Sequence, residues 1–197
     1  MRFGDKRINN KAMVHQHHSE GSSGEVASLH LHPQSPGTPL QSVMEVELVQ
    51  DKGIQGEPRY FGRVSRSSGQ PSPRQVTLIE REQIAEHAAI LGMASIPPGA
   101  VRSNIETVGI NLIELLEREV EIGEAVLLLH TPRDPCAKMD AICQGLRELM
   151  LDNRQGVLAR VVRSGKVKVG DRIIVRPPET GGSPHSTSSH PKVQPLR

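Results

Sequence analysis

The sequence predicts a mostly β protein of the α+β class, a mostly antiparallel, barrel-like sheet with a few helices packed outside it. Three observations carry this. Many short stretches alternate apolar and polar residues with a period of two, as half-buried strands do. Only two stretches show helical spacing, and they do not alternate with strands in the βαβ rhythm of a parallel sheet. Turn residues separate the strands at short intervals, as in closed antiparallel sheets.

Residues 1–24 are polar and include His15, His17 and His18, so a disordered tail is expected, without the fixed scaffold that a histidine metal site needs. Residues 26–32 form the first strand, with Val26, Ser28, His30 and His32 on one face and Ala27, Leu29 and Leu31 on the other. Nothing downstream supplies obvious carboxylate or cysteine ligands to the histidine pair, so a solvated or site-lining face is expected. Residues 43–49 repeat the alternation as a second strand. The stretch 52–57 has two glycines three apart, with Arg59 and Arg63 just after, a permissive loop beside cations of the kind that holds a phosphorylated ligand. Residues 62–73 read as an exposed loop.

Residues 74–79 are then a short strand, and Thr77 with Glu80 forms a capping box. The helix that follows, 80–91, presents Ile84, Ala88 and Leu91 on one face and stops at Gly92. Residues 97–109 give a turn and a strand with Arg102 and Asn104 on the same side. Residues 120–128 and 167–175 echo each other as strand, Gly-acid turn and strand, which predicts two hairpin corners of one barrel. Residues 156–162 supply a further strand. From Glu179 onward, Gly, Ser, Pro and His dominate and a second disordered tail is expected, leaving one domain over 25–178.

The chemistry centres on Cys136. Residues 126–129 are an apolar run that reads as a buried strand, and Pro132 and Pro135 end its ladder. Met139, Ile142, Cys143, Leu146, Leu149 and Met150 then fall at helical spacing, so Cys136 is expected at or just before a helix start. The helix dipole, Arg133 and Lys138 all favour the thiolate there, the form that attacks sulfur or binds a soft metal. Cys143 lies on the apolar stripe and reads as a small buried hydrophobe.

The 197 residues carry a formal net charge of +2 from nearly balanced acids and bases, with no Trp, one Tyr and two Phe. Neither a basic nucleic-acid surface nor a base-stacking platform is expected from that composition. Two cysteines at unlike sites fit a reducing compartment, and no apolar run reaches the length of a membrane span. Cytoplasm is the expected location.

In this order the motifs resemble the MOSC domain, the family named after the C-terminal part of molybdenum cofactor sulfurases. The resemblance covers about residues 25–177. It rests on Gly53-Ile54-Gln55-Gly56-Glu57, Pro98-Gly99 leading to Arg102-Ser103-Asn104-Ile105 and Gly109-Ile110, residues 120–123, Thr131-Pro132-Arg133-Asp134-Pro135-Cys136, and residues 156–161 through Val169-Gly170-Asp171. Glu57 stands where the family usually has Asp, a departure that keeps the charge on a longer arm. The resemblance implies a β-barrel and a pterin-based molybdenum cofactor (molybdopterin), with Cys136 as molybdenum ligand or sulfur carrier. Arg102, Arg133 and Lys138, with Arg59 and Arg74, are the candidates for the pterin's phosphate, and Asn104 for its edge. Family sulfurases also carry a pyridoxal-phosphate domain. It has no counterpart in these residues, so pyridoxal phosphate enters only as a family association.

Three functions follow as alternatives. One is a molybdenum oxidoreductase reducing N-hydroxylated compounds, with electrons from a separate donor protein. The second is a sulfur carrier or cofactor-delivery module with a Cys136 persulfide, supplied by a separate sulfur donor. The third is a non-catalytic binding protein that keeps the fold.

Overall fold

The computed structural model describes residues 23–35 and 39–177. Both predicted tails, with His15, His17 and His18, lie outside the described residues apart from Ser23 and Gly24, which already belong to the first strand. The strands are β1 (Ser23–Leu31), β2 (Gln41–Val43), β3 (Glu45–Val49), β4 (Gly53–Ile54) and β5 (Val76–Glu80), followed by helix α1 (Arg81–Ile90). After it come β6 (Ile105–Val108), β7 (Glu119–Ile122), β8 (Ala125–Pro132), a short helix α2 (Leu146–Leu149), β9 (Val157–Arg163), β10 (Gly165–Lys168) and β11 (Arg172–Val175).

Seven strands run in the order β11-β7-β8-β9-β5-β6-β1, and β11 also pairs with β1, so the sheet closes into a barrel. Closure removes the open edges that a sheet otherwise presents. Strand β2 extends from β1, and β10-β3-β4 form a separate three-stranded sheet. The interior is aliphatic: Val26, Leu29, Leu78, Ile105, Leu127, Leu129, Val157 and Ala159 are among a single buried cluster. A second cluster, with Ile79, Ile84, Ala88, Ile96, Met139, Leu146 and Met150, glues α1 and the 139–150 segment to the outside of β5. Strand β5 is consequently buried on both faces.

Several expectations need correction. Val26 and Leu29 share the barrel core because β1 has a bulge between Val26 and Ser28, which resets its faces. The second predicted strand breaks at exposed Met44 into β2 and β3, which pair with different neighbours. The barrel itself is mostly antiparallel, as expected, with β5 and β6 paired in parallel through the α1 crossover. Thr77 caps nothing: the residue before α1 is Glu80, without a side-chain cap, and Thr77 bonds Asn104 inside the strand layer. Only one of the two echoing corners is a hairpin. β7 pairs with β8, whereas β10 pairs with β3 and β11 with β7 and β1. Equal local sequence thus serves two topologies, because the residues beyond each turn decide which neighbour a strand meets.

Candidate functional site

The 53–57 loop turns on Gly53 at φ +100° and Gly56 at φ +82°, backbone conformations that an L side chain rarely adopts. A Cβ at Gly53 would also press on the Gln75 carbonyl at 3.0 Å. The turn drives Glu57 inward, where its Oε2 accepts the His32 amide at 2.9 Å, His32 Nδ1 at 3.1 Å and Asn104 Nδ2 at 3.1 Å. Its Oε1 accepts the Arg59 amide at 2.9 Å. Burial by itself raises a carboxyl's pKa, but these donors outweigh it and hold Glu57 below the usual carboxylate range. Glu57 therefore joins three segments: the end of β1, the glycine loop and the start of β6. Immediately past it the chain surfaces at Arg59.

Asn104 completes the joint and is fully buried. Its amide nitrogen donates to Glu57 and to the His30 carbonyl at 3.2 Å, and its oxygen accepts from Thr77 Oγ1 at 2.8 Å. Arg102 two residues earlier is half-exposed, whereas the side-chain oxygen and nitrogen of Asn104 are both engaged inside the protein. The histidine pair also departs from expectation. Carboxylates are supplied from far along the chain, Glu57 to His32 and Glu106 to the neighbourhood of His30, whose Nε2 lies 3.9 Å from Glu106 Oε1. Both rings are buried, and burial lowers the pKa of His30 despite Glu106.

Cys136 is exposed, on a loop that follows β8. Strand β8 runs on through Pro132, which opposes Val157, so the first proline does not end the ladder. The helix expected after Cys136 is absent. Residues 137–145 form successive turns, with Met139 N bonded to Cys136 O at 2.9 Å and Leu146 N to Cys143 O at 3.1 Å. Gly145, at φ +89°, breaks the pattern before α2. Met139, Ile142, Cys143, Leu146 and Met150 of that periodic set still pack on the second core, so spacing read their burial correctly and their backbone wrongly. A helix dipole consequently plays no part at Cys136. Cys143 is half-buried against that core, and both thiols are free.

Arg133, one of the expected phosphate candidates, lies deeper than a charged side chain ordinarily does. It is 8% exposed, with its amide fixed to Gly156 O at 2.9 Å. Its guanidinium donates to Ser103 Oγ and to the Arg102 carbonyl, each at 3.3 Å, and its Nε is buried without a partner. Among the described residues no carboxylate pairs with it. Burial pulls its pKa down to about 10, with the Tyr60 and Cys136 groups acting in the opposite direction and Arg74 and Arg59 adding repulsion. It is still a cation at neutral pH, and one with neutral hydrogen-bond partners only.

Arg102 sits above it at φ +61°, its own Nε buried and unpartnered. Arg102 and exposed Lys138 line two adjoining clefts, of about 270 Å³ beside His32, Pro58 and Arg59, and of about 590 Å³ beside Pro98, Gly99 and Ile142. Arg59 and Arg74 flank the Tyr60 ring at 5.3 and 5.4 Å from its centroid. The fold thus gathers Arg59, Arg74, Arg102, Arg133, Lys138 and Cys136 from four separate stretches of sequence. His32, Tyr60 and Ser103 were not singled out as site residues, although the strand alternation that pairs His30 with His32 was the available signal. Among the described residues no group of three His, Cys, Asp or Glu side chains is arranged to hold a bare metal ion.

The MOSC domain family model matches residues 52–174. No curated protein sequence matches the chain. Among solved structures, the YUAD protein from Bacillus subtilis superposes with a TM-score of 0.67 at 19% identity, over 79% of this chain and 97% of that one. YiiM from Geobacillus stearothermophilus gives 0.58 at 17% identity, covering 80% and 77% of the two chains. YiiM from Escherichia coli gives 0.55 at 19% identity, covering 78% and 70%. At these identities the structures share the fold.

Proposed function

This chain belongs to the MOSC domain family, and we propose that it binds a molybdenum cofactor of the phosphorylated pterin type and acts as a molybdenum-dependent oxidoreductase on N-hydroxylated compounds. The observation that carries the reading is Arg133, a buried cation with neutral partners and an unpartnered Nε, beneath Arg102 and beside exposed Cys136. A charge in that setting is costly unless an anion completes it. The donor set suits a phosphate: guanidinium forks at Arg59, Arg102 and Arg133, and a mobile ammonium at Lys138.

When bound, the molybdenum centre supplies two-electron redox chemistry, converting an N–OH group, two electrons and two protons to N–H and water. The chain's own residues do the rest. Arg102, Arg133 and Lys138 hold the anionic end, Glu57 and Asn104 fix the loops that carry Arg59 and Arg102, and Cys136 offers a single sulfur to the metal. Electrons come from a separate donor protein. The exposure of Cys136 supports a second reading, a sulfur carrier with a Cys136 persulfide.

Molybdenum content of protein from a cofactor-competent host tests the first reading. Cys136→Ser should lose the metal and Cys143→Ser should keep it. Equal molybdenum in both variants and the wild type would remove Cys136 from the site.

A further inference from the structure

A second cleft, of about 430 Å³, opens on the α1 side of the barrel between the first turns of that helix and the Gly109–Asn111 turn. It lies at the C-terminal ends of the parallel pair β5 and β6, where the crossover helix leaves the sheet and open space is left. Its lining is acidic and polar, with Glu80, Glu82, Gln83, Glu86 and Asn111 and no Lys or Arg. The helix N-terminus accounts for Glu82, in the first turn, whose Oε1 accepts the Gly109 amide at 2.7 Å. It does not account for Glu80. That side chain is 6% exposed, and its Oε1 accepts the Leu112 amide at 2.8 Å, while Oε2 is buried without a partner. Gln83 Oε1 is likewise buried and unpartnered.

We propose that this cleft binds an organic cation bearing N–H donors, an ammonium or guanidinium group, with Glu80 Oε2 and Gln83 Oε1 as its inner acceptors and Glu82 and Glu86 as its outer charges. Glu80 and Gln83 both line the cleft and each leaves one acceptor oxygen unpaired, which calls for a donor with several N–H groups, and the surrounding carboxylates call for a positive one. Glu86 is the outermost member, 60% exposed and already paired to Arg154 at 2.7 Å, which marks the rim. The carboxylates do not converge as a metal cage, which sets a divalent cation aside. Burial raises the Glu80 pKa, and a cation within the cleft would oppose that shift. The same chemistry is offered by a small amine or guanidine and by a Lys or Arg side chain of another protein.

The test is NMR titration of the full chain, following the Gly109, Asn111 and Leu112 amides. Methylguanidinium, methylammonium, a short peptide with one Arg, and Mg²⁺ are added separately at constant ionic strength. Saturable shifts with either small cation are expected, weakened roughly tenfold or more in Glu80→Gln, which keeps an acceptor for Leu112. Tighter binding of the peptide assigns the site to a partner's side chain, and tighter binding of the free cations assigns it to a small molecule. Glu86→Gln, remote from the core, should also weaken binding and covers the case in which Glu80→Gln does not fold. Unmoved amides, shifts with Mg²⁺ only, or equal affinity in the variants overturns the proposal.

Discussion

Glu57 Oε2 accepts both the main-chain amide and the ring Nδ1 of His32, at 2.9 and 3.1 Å, in a setting where both side chains are almost wholly buried. The pair ties the barrel's first strand to the glycine loop that carries Arg59. Glu57→Ala leaves the His32, Arg59 and Asn104 donors unpaired together, and should lower unfolding free energy by about 2–4 kcal/mol in urea titration. Glu57→Asp keeps the charge on a shorter arm and should lose less than half of that. A loss under ~1 kcal/mol in Glu57→Ala would show the joint to be incidental.

Much of the barrel was legible because alternation encodes which face is buried. The strand containing 26–32 follows from it, while the Gly53 and Gly56 turns follow from the glycine spacing and the buried stripe 139–150 from helical spacing. What escaped were features set by distant partners. No local pattern says that Glu106 and Glu57 approach His30 and His32, or that 167–175 splits between two sheets. Arg133 was legible as a phosphate candidate from its motif, but its burial depends on Ser103 and the Arg102 carbonyl, about thirty residues upstream. Helical spacing at 139–150 was met by turns because Gly145 adopts φ +89° and the apolar residues reach the core without a continuous helix.

Arg133 yields a prediction with opposite signs for stability and binding. Arg133→Met fills a similar volume without a charge, so the cofactor-free protein should be as stable as wild type or more so, by up to about 4 kcal/mol. Cofactor retention should fall roughly tenfold to a hundredfold, as loss of a charge-assisted phosphate contact of ~1.5–3 kcal/mol implies. Arg102→Ala should weaken retention similarly without unfolding the chain. Loss of stability with unchanged retention would make Arg133 a structural residue.

Gly156 tests how tightly the site loop is seated. At φ +73°, a Cβ there would collide with the Leu78 carbonyl and sit 2.8 Å from Ile79 Cα. Since Gly156 O also anchors the Arg133 amide, Gly156→Ala should cost about 3 kcal/mol or more and loosen Arg133. Gly170, at φ +88° in open space, gives the comparison: Gly170→Ala should cost only about 1–2 kcal/mol in the same urea assay.

His87 should make stability fall on mild acidification. Its Nε2 donates to the Arg154 carbonyl at 3.0 Å and its Nδ1 is buried without a partner, so a second proton would have no acceptor. Burial lowers its pKa below the ordinary 6.5, the Arg154 bond notwithstanding, and His30 is lowered as well. With folded values depressed, the unfolded chain binds more protons. The contribution is complete above pH 6.5 and is lost as pH falls from there through the folded values. Glu57, also lowered, adds a further loss below its ordinary 4.5. Urea midpoints measured in steps down from neutral pH should decline first between 6.5 and 4.5, and His87→Leu should flatten that limb. An unchanged slope in the variant would exclude His87 as its source.

The last prediction separates enzyme from carrier and turns on what Cys136 does during a cycle. A reductase keeps this sulfur bonded to the metal while substrate and electrons come and go. Iodoacetamide should therefore modify Cys136, exposed in the chain itself, quickly in cofactor-free protein and slowly in loaded protein. A carrier needs the sulfur free to accept and release a persulfide, so its alkylation should be insensitive to cofactor loading. Half-buried Cys143, packed on the second core, provides an internal reference. Protected Cys136, together with molybdenum-dependent reduction of an amidoxime that Cys136→Ser abolishes, is the outcome expected. Persulfide transfer from Cys136 to an acceptor thiol, with no reduction under several electron donors, would transfer the assignment to the carrier, since the same exposed sulfur cannot stay ligated and turn over as a leaving group.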